Sequence, residues 1–195
     1  MFTIDKKSMD ILFNEARTYT YFENKPISDE VFVQLYDTLK LAPTYANCQP
    51  GRFIFVKSPE AKARLIPHLD GGNVRKVQEA AATVIIASDN TFYKNMPRLF
   101  PHGDMMSLFE SNPKLAQHVM FQSSCLQGAY LIMAARALGL DCGPMGGFNS
   151  AGVDKEFFPD GKWTSNFLCN LGYGMKSKLH PRDPRLNFEE ACKII

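Results

Sequence analysis

Apolar residues recur at helical spacing in some stretches of the chain and run without interruption in others, and the two rhythms predict different elements. Ser8 to Arg17 carries Ile11, Leu12 and Glu15 at helical intervals, with Ser8 as the N-cap. Ser28 to Leu41 presents Val31, Leu35 and Leu39 as one buried stripe, and Asp29 and Glu30 lie in its first turn, where acids oppose the positive end of the helix dipole. Ser58-Pro59-Glu60 opens a helix that runs to about Ile66. Lys114 to Leu138 is the longest helical pattern and ends at Gly139 as a left-handed cap. Its small interior residues, among them Cys125, Gly128, Ala129, Ala134 and Ala135, fit either a central core helix or a subunit contact. Short helices are expected over Asn73–Glu79 and Val153–Phe157.

Continuous apolar runs at Phe53–Val56, Thr83–Ala87 and Phe167–Tyr173 predict strands, and the β-branched run from Thr83 reads as one buried on both faces. Asp141 to Phe148 begins as a strand and ends as a glycine-rich turn. Helices separated by three or four isolated strands give an α+β class, with helices flanking a modest sheet. No linker divides the 195 residues, so a single domain over 1–195 is expected.

Polar segments interrupt this frame. Ala42–Phe53 (APTYANCQPGRF) is an ordered loop, because Pro43 and Pro50 remove backbone donors and hold the preceding residues extended. Its Asn47 and Gln49 amides suit the edge of a heterocycle. Gly71-Gly72-Asn73 breaks the chain, and Phe92–Asn112 is irregular, rich in Pro, Met, Phe and His. The tail from Gly174 is basic, with Lys176, Lys178, His180, Arg182 and Arg185.

Composition narrows the function classes. An apolar share of 45% fits a globular protein, and 22 basic against 20 acidic residues leave a net charge of +2, which implies no obligate nucleic-acid or membrane partner. The longest apolar run is too short for a bilayer, and the N-terminus has no apolar signal region, so the expected location is cytoplasmic. The five cysteines form no C-x-x-C pair and the four histidines have no metal-ligand spacing. Cys48, inside the polar loop, is the one thiol placed to be a nucleophile, though no base is visible beside it. Phosphate-loop, dinucleotide and nucleophile-elbow motifs are missing, so any hard chemistry falls to a cofactor.

The loop at Ala42 resembles the A-P-S-x-x-N-x-Q-P-W-x-F stretch of the nitroreductase-like flavin enzymes, with Thr44 for the serine and Gly51 for the tryptophan. The runs FPHGD, AYLIMAARALGLDCGPMGGF and GYGMKSKLHPRDPRLNFEEAC resemble one branch of that family, the malonic-semialdehyde reductases of pyrimidine breakdown, and the likeness covers essentially the whole chain. The resemblance implies a nitroreductase-like sheet flanked by helices and an FMN site at a homodimer interface. Arg17 and Arg185 would hold the FMN phosphate, with Arg182 as a helper. Thr18 and Thr20 would meet the ribityl chain or the pyrimidine end of the ring, and Asn73 that same edge. The turn Pro144-Met145-Gly146-Gly147 would lie beside flavin N5, and Pro43, Thr44 and Asn47 would come from the second subunit. Ala16 stands where an arginine is common, Thr20 where many members carry a cation, and Gly146 where some carry a glutamate. The missing cation near the ring weakens stabilisation of a reduced, anionic flavin.

The implied reaction takes hydride from NADPH or NADH through flavin N5 to a small carbonyl, malonic semialdehyde giving 3-hydroxypropionate. Such a substrate needs a cation for its carboxylate, for which Arg75, Arg98 and Arg52 are candidates, and a proton donor, for which His102 is the candidate. Plainer roles stand beside these: Arg17 complements a helix dipole, His102 is solvated, and the methionines at 96, 105, 106 and 120 pack or form a lid. The other readings are a broad nitroreductase or quinone reductase and a flavin-binding protein without turnover.

Overall fold

A computed structural model describes residues 3–195. Strands β1 (Gly51–Val56), β2 (Ala82–Asp89), β3 (Asp141–Met145) and β4 (Trp163–Gly172) form one antiparallel sheet in the order β1-β2-β4-β3. All eight residues of β2 are buried. The reason is two-sided packing with period-2 alternation. Ala82, Val84 and Ile86 join a cluster with Leu35, Leu39, Leu131, Ala135 and Leu171. Ile85 and Ala87 join Leu65, Val77, Val153 and Leu168 on the opposite face.

The first cluster is covered by α2 (Asp29–Leu39) and α7 (Pro113–Ala137), and the second by α3 (Pro59–Leu65), α4 (Gly71–Glu79) and α8 (Ser150–Phe157). Of the two roles open to α7, the core role is realised along one side, where Leu131, Ala134 and Ala135 are buried and a Cβ on Gly128 would stand 2.4 Å from the Phe167 ring. Its other side leaves Phe121, Leu126 and Tyr130 exposed. Gly139 takes φ +77°, as its place after the helix predicts. Among the described residues no helix is long and apolar enough to cross a membrane.

The N-terminal helix differs from expectation. It spans only α1 (Lys6–Met9), followed by a π-helical turn over Asp10–Asn14. Its cap is Asp5, whose carboxylate accepts from Ser8 N at 2.7 Å, which makes Ser8 the third residue of the helix rather than its cap. It stops short of Arg17 because Arg182 Nη2 claims the carbonyls of Asn14 (2.7 Å) and Ala16 (2.8 Å). Gly71 and Gly72 open α4 rather than precede it, since extended Asp70 serves as the N-cap and its carbonyl accepts from Asn73 N at 2.8 Å. The stretch expected to be irregular folds into α5 (Met96–Leu99) and α6 (Met105–Ser111), gathered around buried Phe92, Met96 and Phe109, with Asp104 capping α6.

Candidate functional site

Residues 17–20 lie as an extended strip on the free edge of β3. Thr18 bridges Cys142 in parallel, and Tyr19 N donates to Cys142 O at 2.9 Å. Extended alternation buries Tyr19 and turns Thr18 and Thr20 toward a cleft. The approach is so close that a Cβ on Gly143 would stand 2.4 Å from Tyr19 O. Arg75 ties α4 to the strip: its Nη1 donates to Thr20 O at 3.0 Å and to Glu79 at 2.9 Å, and its guanidinium lies 3.7 Å from the Tyr21 ring centroid. Asn73 Nδ2 donates to Gly147 O at 2.8 Å, and Lys76 Nζ donates to Asn73 Oδ1 at 2.9 Å. Gly147 is closely faced by Asp70 and Asn73, whereas Gly146 is exposed with open space around it.

The cleft beside the strip has a volume of about 290 Å³ and is lined by Arg17, Arg136, Lys178, Arg182 and Arg185, with Asp183 as the one acid in its lining. Every guanidinium there is oriented by main-chain carbonyls. Arg17 Nη2 donates to His180 O at 2.6 Å, Arg136 Nη1 to Leu12 O at 2.9 Å, Arg182 as given above, and Arg185 Nη1 to Asp183 O at 2.9 Å and Pro184 O at 3.0 Å. Among the described residues none of the four is ion-paired with a carboxylate. Carbonyls hold the forks in place without neutralising them, and each guanidinium retains unused donors. Half-buried Asp141, on the far side of the strip, accepts from Gly174 N at 2.8 Å; burial pushes its carboxyl above the usual range, against the pull of that bond, Lys176 and Arg136.

Arg17, Thr18, Thr20, Arg182 and Arg185 are thus brought together, and Asn73 meets Gly147 at the far end of the strip. Pro43, Thr44, Asn47 and His102 line none of this cleft in their own chain. The Pro43–Gln49 loop is held by its own bonds and by its neighbours: Gln49 N to Thr44 Oγ1 at 3.2 Å, Asn47 Nδ2 to Leu99 O at 2.9 Å, Tyr45 N to Ser123 Oγ at 3.3 Å. Ala46, Asn47 and Gln49 all take positive φ. His102 is exposed in the turn before α6, edge-on to Phe100 with ring centroids 5.9 Å apart.

Other side chains singled out in the sequence take up separate places. The Met145 side chain is in the core, its sulfur accepting from Asn170 Nδ2 at 3.4 Å, so it offers only main chain to a ligand. Cys48 is fully buried and burial pushes its thiol up, which leaves no poised nucleophile. Arg52 is committed to Asp89 at 2.6 Å and Arg75 to Thr20 and Glu79. Arg98 remains exposed and unpaired among the described residues, beside a second cavity of about 420 Å³. Arg136 carries no signal in the sequence because it falls inside a long helical pattern, and only folding carries it to residues 17 and 178.

The fold and site together define an α+β protein with an arginine-lined, carboxylate-poor cleft along the edge of its sheet. A model of the Nitroreductase family matches residues 15–173. A Ralstonia nicotianae protein provisionally named NADH dehydrogenase/NAD(P)H nitroreductase is 50% identical over 193 residues, covering 99% of each chain. A Rhodopseudomonas palustris protein of the same provisional name is 53% identical over 193 residues, covering 99% of this chain and 98% of its own. Two solved structures share the fold. A Bacillus subtilis protein described as a candidate nitroreductase superposes with TM-score 0.89 at 20% identity, over 98% of this chain and 100% of that one. A candidate nitroreductase from Exiguobacterium sibiricum, solved in complex with FMN, superposes with TM-score 0.86 at 21% identity over the full length of both. This chain belongs to the nitroreductase family.

Proposed function

We propose that this protein is an FMN-dependent NAD(P)H oxidoreductase that works as a homodimer and reduces a small carbonyl acid, malonic semialdehyde, to 3-hydroxypropionate. The observation that carries the flavin reading is the cleft itself, where guanidiniums from residues 17, 182 and 185 converge and none is ion-paired with a carboxylate among the described residues. A phosphate monoester fits such a set, because it accepts paired hydrogen bonds from planar forks. From there the strip leads past Thr18 and Thr20 to Asn73 and the bare backbone of Gly146, where a flat ring meets no Cβ. FMN bound there supplies hydride transfer between the nicotinamide and the substrate.

In this reading Arg17 and Arg185 bind the phosphate, with Arg182 fixing the turn that carries Arg17. Thr18, Thr20 and Asn73 hold the ribityl chain and pyrimidine edge, and the Pro144–Gly147 turn lies against the ring. Pro43, Thr44 and Asn47 complete the site from the second subunit, which accords with their place outside the lining of their own chain's cleft. The apolar side chains left exposed on α2 and α7, Val33, Tyr36, Phe121, Leu126 and Tyr130, support a second copy as the cover. Arg98 binds the substrate carboxylate and His102, on the same α5-to-α6 segment, donates the proton to the nascent alkoxide.

Purified protein is expected to be yellow. Arg17→Ala or Arg185→Ala is expected to weaken FMN binding about 10-fold to 100-fold, the range for one lost charged hydrogen bond. Flavin retention on gel filtration identical to wild type in both variants would exclude the phosphate role. The substrate is decided by kcat/KM: the proposal expects malonic semialdehyde to exceed a nitroaromatic with either nicotinamide. A higher value for the nitroaromatic would establish instead a broad nitroreductase, the reading that the names of the relatives favour.

A further inference from the structure

We infer that Arg136, from the last turn of α7, is a further phosphate-binding residue, an inference that rests on the FMN reading and adds a third region of the chain to the site. Arg136 lines the same cleft as Arg17, Lys178 and Arg185. Its Nη1 donates to two neutral partners, Leu12 O at 2.9 Å and Met133 Sδ at 3.8 Å, and its Nε is enclosed with no hydrogen-bond partner among the described residues. Asp183 is the acid in the cleft lining and Asp141 feels the charge of Arg136, yet among the described residues neither makes an ion pair with it.

The ordinary role of an arginine in a last turn is to satisfy helix carbonyls and the negative end of the dipole. Arg136 does not satisfy them: the carbonyls of Ala134, Ala135 and Arg136 already accept from the main-chain N–H groups of Leu138, Leu140 and Gly139. The side chain spans from α7 to the π-helical turn, held by neutral partners at both ends, so its charge is delivered to the cleft. Ala16, lining the same cleft, offers only a methyl group and leaves that volume free. An uncompensated cation there adds binding for a doubly charged phosphate monoester and nothing for a neutral ligand of the same ring.

Riboflavin, which carries the same ring without the phosphate, gives the test. Flavin-stripped wild type, R136Q and R136K are titrated with FMN and with riboflavin by fluorescence quenching, at two salt concentrations. R136Q is expected to weaken FMN about 10-fold to 100-fold while leaving riboflavin within about twofold, as the loss of one charge-assisted contact predicts. R136K, which keeps the charge but not the fork, should fall between, and the salt dependence of FMN binding should become shallower in R136Q. Equal weakening of both flavins, or none of either, overturns the inference. Should R136Q fail to fold, the FMN-to-riboflavin ratio of R136K decides, and a ratio equal to wild type overturns it. Wild type that binds neither flavin instead refutes the FMN reading on which this rests.

Discussion

Gly143→Ala is expected to destabilise the protein by about 1–3 kcal/mol, the usual cost of overpacking a tight contact, and to weaken FMN at least as much as Arg17→Ala. The added Cβ would lie 2.4 Å from Tyr19 O, a main-chain atom that cannot rotate aside as a side chain does. Relief requires breaking the 2.9 Å bond from Tyr19 N to Cys142 O and lifting residues 17–20 off β3, so Arg17, Thr18 and Thr20 leave the cleft together. Urea denaturation with a flavin titration measures both effects. Gly146→Ala is the matched control for stability, because its Cβ would meet nothing within 4 Å, and its midpoint should stay near wild type. A Gly143→Ala protein with wild-type midpoint and flavin affinity would show that the strip is held by something other than β3.

The largest loss of stability is expected from Leu131→Ala, about 2–5 kcal/mol, the range for emptying a fully buried leucine site. Leu131 is 0% exposed and packs where α7 meets the sheet, in one cluster with Ile86, Ala135 and Leu171. Its effect should appear as a lower urea midpoint at unchanged slope, because the site lies in the core and the flavin contacts stay intact. FMN at 100 times its dissociation constant should then restore about 2.7 kcal/mol through mass action on the native state. The same FMN addition should fail to restore a Gly143→Ala protein, since that change removes the site along with the stability. Equal rescue of the two variants would separate the strip from flavin binding.

The helices and strands were legible wherever one rhythm dominated. The run of β2 came through because both of its faces are covered, so every position is apolar regardless of direction. The Ser58-Pro59 start and the Gly139 stop were legible because each is a local event, a side chain accepting from Ala61 N at 3.1 Å and a residue at positive φ. The first helix is shorter than its sequence pattern because its end is met from 166 residues away, by Arg182 taking the Ala16 carbonyl. The Phe92–Asn112 segment looks irregular in sequence because its helices are too short to show a period and fold only around Phe92, Met96 and Phe109.

The chain's own residues determined the class of the protein, the division into helices and strands, and the basic character of its C-terminal tail, since each of these depends on local chemistry or on a likeness that runs the length of the sequence. Only the tertiary structure decided which cations share a cleft. It withdrew Arg52 to Asp89 and Arg75 to Thr20, turned the Met145 side chain into the core, and brought in Arg136 from the end of α7. The physical reason is that a guanidinium becomes a ligand for an anion only when its neighbours orient it without neutralising it. Whether those neighbours are carbonyls or carboxylates is settled by contacts between residues far apart in sequence.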